Sequence, residues 1–145
     1  MIQIREMNWD DLDQVMEIEN ACFSVPWTET GFFTYLLRDD TLFLVAEEDE
    51  KIYGYCGIVM VMDEGDITNV AVDASMRNQG IGKMLLQKLF EETANKGVQK
   101  IFLEVRESNA GAIHLYEKMG FVVTGRRKNY YEAPREDAVL MMHEA

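Results

Sequence analysis

Two rhythms of apolar and polar positions run along the chain. Residues 1–7 alternate weakly and predict a first strand; Leu12, Val15, Met16, Ile18 and Cys22 then recur at helical spacing and predict an amphipathic helix over 9–22. Asn8 stands where a cap belongs, and Asp10 and Asp11 fall in the first turn, where the helix dipole favours acids. Pro26 disfavours helical geometry at Val25 and breaks the chain there, after which Thr28 caps a second helix carrying Phe32, Phe33, Tyr35, Leu36 and Leu37. That helix is more aromatic than amphipathicity requires, which suits either core packing or a substrate wall.

The middle of the chain changes period. Residues 41–46 and 52–62 are β-rich runs around the polar turn 48–51 and predict an antiparallel hairpin; 63–66 turn the chain into another strand, 67–72. From Ile81 the positions Met84, Leu85, Leu86, Leu89, Phe90 and Ala94 describe a helix buried over a wide face and ended by Gly97. Residues 98–105 form the next strand, parallel to 67–72 because a helix connects the two. Ser108 or Asn109 caps a helix to Met119, closed by Gly120; 121–123 and 138–142 read as closing strands with Tyr130, Tyr131 and Pro134 in a polar loop between them. The expectation is a single α/β domain over 1–145, with about seven strands in a mixed sheet and about four helices.

Composition narrows the functional classes. At 145 residues, 48% apolar and 28% charged, the chain has enough material for one sizeable core. No apolar run approaches the roughly eighteen residues of a membrane span, and Met1 to Arg5 lacks the basic and apolar regions of a signal peptide, so a cytoplasmic protein without a membrane role is expected. Cys22 and Cys56 have neither CxxC spacing nor companion ligands; no metal site is indicated, and both are expected as small buried apolar residues. A net charge of −12, from 14 basic and 26 acidic residues, argues against nucleic acid and fits a basic partner, or simply an acidic surface that keeps the protein soluble.

One stretch carries chemistry by its order alone. The strand Asn69-Val70-Ala71-Val72-Asp73 runs into Arg77-Asn78-Gln79-Gly80-Ile81-Gly82-Lys83 and then into the long helix. A helix's first turn leaves its amides without intrahelical partners at the positive end of the dipole, and glycines at 80 and 82 would let a diphosphate approach them. The dinucleotide fingerprint fails because its third glycine would be Leu85; the P-loop fails because Arg77 and Met84 stand where glycine and Ser or Thr are needed.

Glu104 is the one acid in the apolar strand Ile101-Phe102-Leu103-Glu104-Val105. Carboxylates are rarely fully buried without a partner, and the carboxyl end of a parallel strand is where open sheets bind ligands, so Glu104 is expected to face a cleft. Asn109, Ile113 and Tyr116 form one stripe of the following helix, with His114 on another face and expected at the surface. Glu19 falls inside the apolar arc of the first helix; a glutamate so near a helix end ordinarily reaches solvent, and lining a cleft is the less expected alternative.

The loop Arg77-x-x-Gly-x-Gly after Val-Ala-Val resembles the acyl-CoA pyrophosphate loop of the GCN5-related N-acetyltransferase (GNAT) family. The run Leu103-Glu104-Val105-Arg106-x-Ser108-Asn109-x-x-Ala112-x-x-Leu115-Tyr116-x-x-x-Gly120-Phe121 resembles its second signature. Within the family the chain is similar to the bacterial ribosomal-protein alanine N-acetyltransferase type, through Pro26-Trp27, Val70-Ala71-Val72, Leu103-Glu104-Val105-Arg106, Arg127-x-Asn129-Tyr130-Tyr131 and Glu136-Asp137-Ala138; Glu132-Ala133-Pro134-Arg135 lacks the glycine expected in that turn. The resemblance implies a mostly antiparallel sheet with a parallel pair at an acetyl-CoA cleft, and transfer of acetyl to the N-terminal α-amine of a basic protein, a ribosomal protein with N-terminal alanine.

It also implies roles. An α-amine with pKa near 7.7–8.0 is mostly charged at pH 7, so a base must take its proton; Glu104 fills that role, directly or through water, if its setting raises its pKa. A backbone N–H among Val70, Ala71 and Val72 would stabilise the oxyanion at the thioester, and Tyr116 would protonate the departing thiolate. Arg77, Asn78, Gln79, Gly80, Ile81, Gly82 and Lys83 would hold the pyrophosphate and Asn109 the pantetheine arm. A small amine or lysine as acceptor, or a non-catalytic acyl-CoA sensor, would use the same loop; the sensor would need neither Glu104 nor Tyr116. A covalent route through Cys22 or Cys56 would need a partnered histidine, which neither His114 nor His143 is placed to be.

Overall fold

The computed structural model describes residues 1–144. Seven strands form one sheet: β1 (Gln3–Glu6), β2 (Thr41–Glu48), β3 (Lys51–Val61), β4 (Glu64–Val72), β5 (Lys100–Arg106), β6 (Val122–Glu132) and β7 (Arg135–Glu144), in the order β1-β2-β3-β4-β5-β7-β6. Every neighbouring pair is antiparallel except β4 and β5. The helices are α1 (Leu12–Cys22), α2 (Glu29–Leu36), α3 (Ile81–Asn95) and α4 (Ala110–Lys118). No helix among the described residues is long and apolar enough to cross a membrane.

The expected seven strands and four helices are all present, with shifted edges. The first turn before α1 is a short 3-10 segment, Trp9–Asp11, closed by a reciprocal cap between Asn8 and Asp11. Residues 64–66 belong to β4 rather than to a turn, since Met62, at φ 57°, already reverses the chain. Tyr130 and Tyr131 lie in β6 rather than in a loop: β6 is an edge strand with little apolar alternation, irregular between Arg127 and Tyr131, where Asn129 takes φ 55°. The turn that lacks glycine is built instead on Ala133 and Pro134.

Strand alternation divides the core in two. Leu42, Leu44 and Ala46 of β2 face α3 and meet Leu85, Leu86 and Leu89; the intervening Phe43 and Val45 face α1 and α2 and meet Val15, Ile18 and Phe32. On β5 the residues Ile101, Leu103 and Val105 belong to the α3 side, so Phe102, Glu104 and Arg106 project to the side of α1 and α2, where Glu104 is exposed.

Candidate active site

The parallel pairing of β4 with β5 lasts only three residues, Glu64 with Lys100, Gly65 with Ile101 and Asp66 with Phe102. Beyond Asp66 the two strands part. Ile67 and residues 69–72 keep antiparallel partners on β3, with Thr68 unpaired at a slip of register, but none of these residues pairs on the β5 side, so one backbone edge of β4 is left open along Ile67–Val72. The gap becomes a cavity of about 430 Å³, lined among others by Glu19, Cys22, Trp27, Thr68, Val70, Glu104, Arg106, Asn109, Tyr116 and Tyr131. A second cavity, about 780 Å³, shares Trp27, Thr68, Glu104, Tyr130 and Tyr131 with it and adds Asp66 and Arg127.

The structure thus brings Glu104 and Tyr116 to one cavity from opposite faces of the sheet. Glu104 reaches it from β5; Tyr116 reaches it from α4, on the α3 side, where its ring lies 5.7 Å from that of Phe121. Burial pushes the Tyr116 phenol above the ordinary range, so it stays protonated across neutral pH. Glu104 marks its neighbours: a hydrogen bond to it, then burial, raises the Tyr130 phenol, and burial, then Glu104, pushes Tyr131 up to about 12. Burial together with the charges of Glu104 and Glu64 raises the Asp66 carboxyl.

The loop between β4 and α3 has the form of an anion cradle. Asp73 caps a short 3-10 turn, Ala74–Met76, and Asn78 and Gly80 take φ 64° and 80° before α3 starts at Ile81. No atom lies within 4 Å of the place where a Cβ on Gly80 would stand, so the approach to the first-turn amides is open; Arg77 and Lys83 are exposed on either side. These donors and cations fit a diphosphate. Gly82 also meets α4: a Cβ there would stand 2.9 Å from Cδ2 of Leu115, so its bareness leaves room for that side chain against α3. Asn109 caps α4, its Oδ1 accepting from the Ala112 N–H at 3.2 Å, and the residue lines the cavity with its amide nitrogen outside that bond.

Of the strand residues, Ala71 is buried toward α1 and α2, while Val70 and Val72 are half-buried toward α3. Cys56 is fully buried, which pushes its thiol up to about 12; Cys22, expected in the core, is half-buried at the cavity, its thiol 3.6 Å from the Val72 carbonyl and 3.5 Å from Nη2 of Arg77. His114 is exposed, and His143 stacks on Phe90 at 4.4 Å away from the cavity.

Two features depart from the default expectation. Glu19 does not reach solvent: only 2% exposed, it accepts from the Tyr55 hydroxyl, from the Trp27 N–H at 2.8 Å and from Nδ2 of Asn69 at 3.3 Å. Arg106 fastens the cavity mouth, donating to the Pro134 carbonyl at 2.9 Å, to Glu136 at 3.1 Å and to Ser24 at 3.1 Å, with its guanidinium 4.4 Å above the Tyr131 ring. The signal for Glu19 was its place in the apolar arc; Arg106, at the end of an apolar strand, had no periodic signal.

Comparison with known proteins places this geometry. The Acetyltransferase (GNAT) family model matches residues 12–121. The putative [ribosomal protein bS18]-alanine N-acetyltransferase of Bacillus subtilis is 42% identical over 139 residues, 95% of this chain and 92% of the relative. The [ribosomal protein bS18]-alanine N-acetyltransferase of Salmonella typhimurium is 36% identical over 97% of this chain and 96% of its own length. The crystal structure of the ribosomal-protein-S18-alanine N-acetyltransferase from Escherichia coli superposes with a TM-score of 0.91 at 35% identity, covering 99% of this chain and 94% of that one. With a family model matching over most of its length, relatives 36–42% identical over nearly all of it, and an acid and a phenol lining one cavity where β4 and β5 part, the chain belongs to the GNAT family of acetyltransferases.

Proposed function

We propose that this protein transfers the acetyl group of acetyl-CoA to the N-terminal α-amine of a protein, an alanine at the start of a ribosomal protein, by direct attack of the amine on the thioester. The observation that carries the mechanism is the parting of β4 and β5 after Asp66 and Phe102, which opens one cavity to Glu104 and Tyr116 at once. The acceptor follows from relatives of nearly equal length named for alanine at ribosomal protein bS18. Compartment follows from substrate: an enzyme of this kind meets its acceptor in the cytoplasm.

The amides of Asn78 to Lys83, with Arg77, hold the diphosphate of the co-substrate, which supplies the activated acetyl group. The Asn109 side-chain amide donates to its arm, and the open edge of Val70–Val72 turns an N–H toward the thioester oxygen, where negative charge develops. Glu104, exposed on its strand, takes the proton that the α-ammonium must lose, through a water. The amine nitrogen then bonds to the acetyl carbon as the carbon–sulfur bond breaks; Tyr116, kept protonated by burial, gives its proton to the thiolate, and the second proton that the nitrogen sheds on becoming an amide leaves to water, from which the phenol is reprotonated. A thiol relay plays no part: Cys56 is sealed in the core, and neither cysteine is hydrogen-bonded to a histidine among the described residues.

Steady-state transfer to a peptide beginning Ala-Arg, beside a panel of small amines and lysine peptides, tests the acceptor; turnover confined to small amines would exclude it. Glu104→Gln is expected to slow turnover near neutral pH roughly 10²- to 10⁴-fold, with partial recovery above pH 8, where the amine is neutral unaided, and with acetyl-CoA binding retained. An unchanged rate and pH profile would remove Glu104 as the base.

A further inference from the structure

Glu19 has no place in the mechanism above, yet it is the most deeply buried carboxylate in the cavity wall, and no ion pair is formed with it among the described residues. Its three partners, the Tyr55 hydroxyl and the N–H groups of Asn69 and Trp27, are all donors. That set suits an acceptor-only carboxylate and leaves an amide one donor too many.

The consequence runs outward along a chain of hydrogen bonds. Because Nδ2 of Asn69 is drawn to Glu19, its Oδ1 must face the other way, where it accepts the Thr68 hydroxyl proton at 2.6 Å. Neighbouring residues of a regular strand point to opposite faces and could not make this bond. Here the register slips, Gly57 facing Asn69 while Ile58 faces Ile67, so Thr68 is the extra residue of a bulge and its side chain swings to the side of Asn69. With its one proton committed inward, the Thr68 oxygen has only lone pairs left to offer. Thr68 lines both cavities, as does Glu104.

We infer that Glu19 is a positioning residue for the acceptor: through Asn69 it fixes Thr68 as a hydrogen-bond acceptor that receives an N–H of the incoming peptide's amino terminus, and through the Trp27 N–H it holds the α1–α2 loop against the same wall. The inference rests on the peptide-acceptor reading and adds to it a residue that contacts the substrate. The ligand class is a primary amine with donors to spare, entering beside Glu104 from the Trp27 side.

The test is steady-state kinetics with the Ala-Arg peptide and acetyl-CoA varied separately, the wild-type enzyme showing first whether the peptide is a substrate at all. Given that it is, Thr68→Val, which keeps the shape and removes the hydroxyl, is expected to raise the peptide KM roughly three- to tenfold, with the acetyl-CoA KM within about twofold of wild type, while Thr68→Ser restores the peptide KM. Glu19→Gln is expected to raise the same KM without the shift in pH profile that Glu104→Gln gives, and the double variant with Thr68→Val to be no worse than the poorer single variant. An unchanged peptide KM in Thr68→Val overturns the inference, whether or not Glu19→Gln folds. So does a Glu19→Gln enzyme that raises both KM values equally, because that is what a merely structural carboxylate would do. Failure of the wild type to use the peptide would instead overturn the acceptor reading.

Discussion

The two faces of the sheet are built from different material. The face under α3 is aliphatic and continuous from β2 to β7, with Leu44, Ile58, Leu85, Leu86, Leu89, Ile101 and Met141 in one cluster. The face under α1 and α2 is aromatic, with Phe32, Phe43 and Tyr55 buried and Trp27 stacked on Tyr35 at 4.7 Å; its buried cluster ends at Ala71 of β4. Past that point the same face carries Glu104, Arg127 and Tyr130, all exposed. One face holds the fold together, whereas the other is covered over β2 to β4 and left open over the cavity that Glu104 lines.

Substitutions can break that contrast in order of size. Leu89→Ala, at a position with no exposure, should cost about 2–5 kcal/mol of unfolding free energy in a denaturant titration. Glu104→Gln should leave the same titration almost unchanged while activity falls; equal stability losses would mean that the two faces are not divided as described. Tyr116 sits between them, buried on the aliphatic side but open to the cavity. Tyr116→Phe should slow turnover about ten- to a hundredfold with little change in acetyl-CoA affinity measured by calorimetry; equal losses in both would make it a positioning group only.

The smallest effect sharpens the contrast. Asp66 stands on the open half, where burial and then the charges of Glu104 and Glu64 raise its carboxyl above its unfolded value. Its contribution to stability is therefore fully present below the unfolded pKa, near 3.9, and is lost as pH rises through the higher folded value. At pH 7 Asp66→Asn should be slightly more stable than wild type, by under about 0.5 kcal/mol after solvent screening, and the difference should vanish below about pH 4. In a Glu104→Gln background the gain should shrink, because one of the repelling charges is gone.

Legibility in the sequence follows the same division. The helix from Ile81, the loop before it and the acid at 104 were readable, because a wide apolar stripe, two glycines and a single charge in an apolar strand are all local signals. Tyr130 and Tyr131 were misplaced into a loop because an edge strand open on one face has no apolar alternation to announce it. For Glu19 the apolar arc signals an inward position but not its partners, which lie 8, 36 and 50 residues away; the place of Thr68 is explained only by a slip of register against β3. Long-range pairing, not composition, decides both.

The bare α-carbon at 82 acts as a gauge. It sets how near α4 may come to the first turn of α3, since any side chain there would press on Leu115, the residue next to Tyr116. A methyl group at that crossing would have to be met by a turn of the Leu115 side chain, so what the missing atom preserves is the resting place of the residue that precedes the buried phenol.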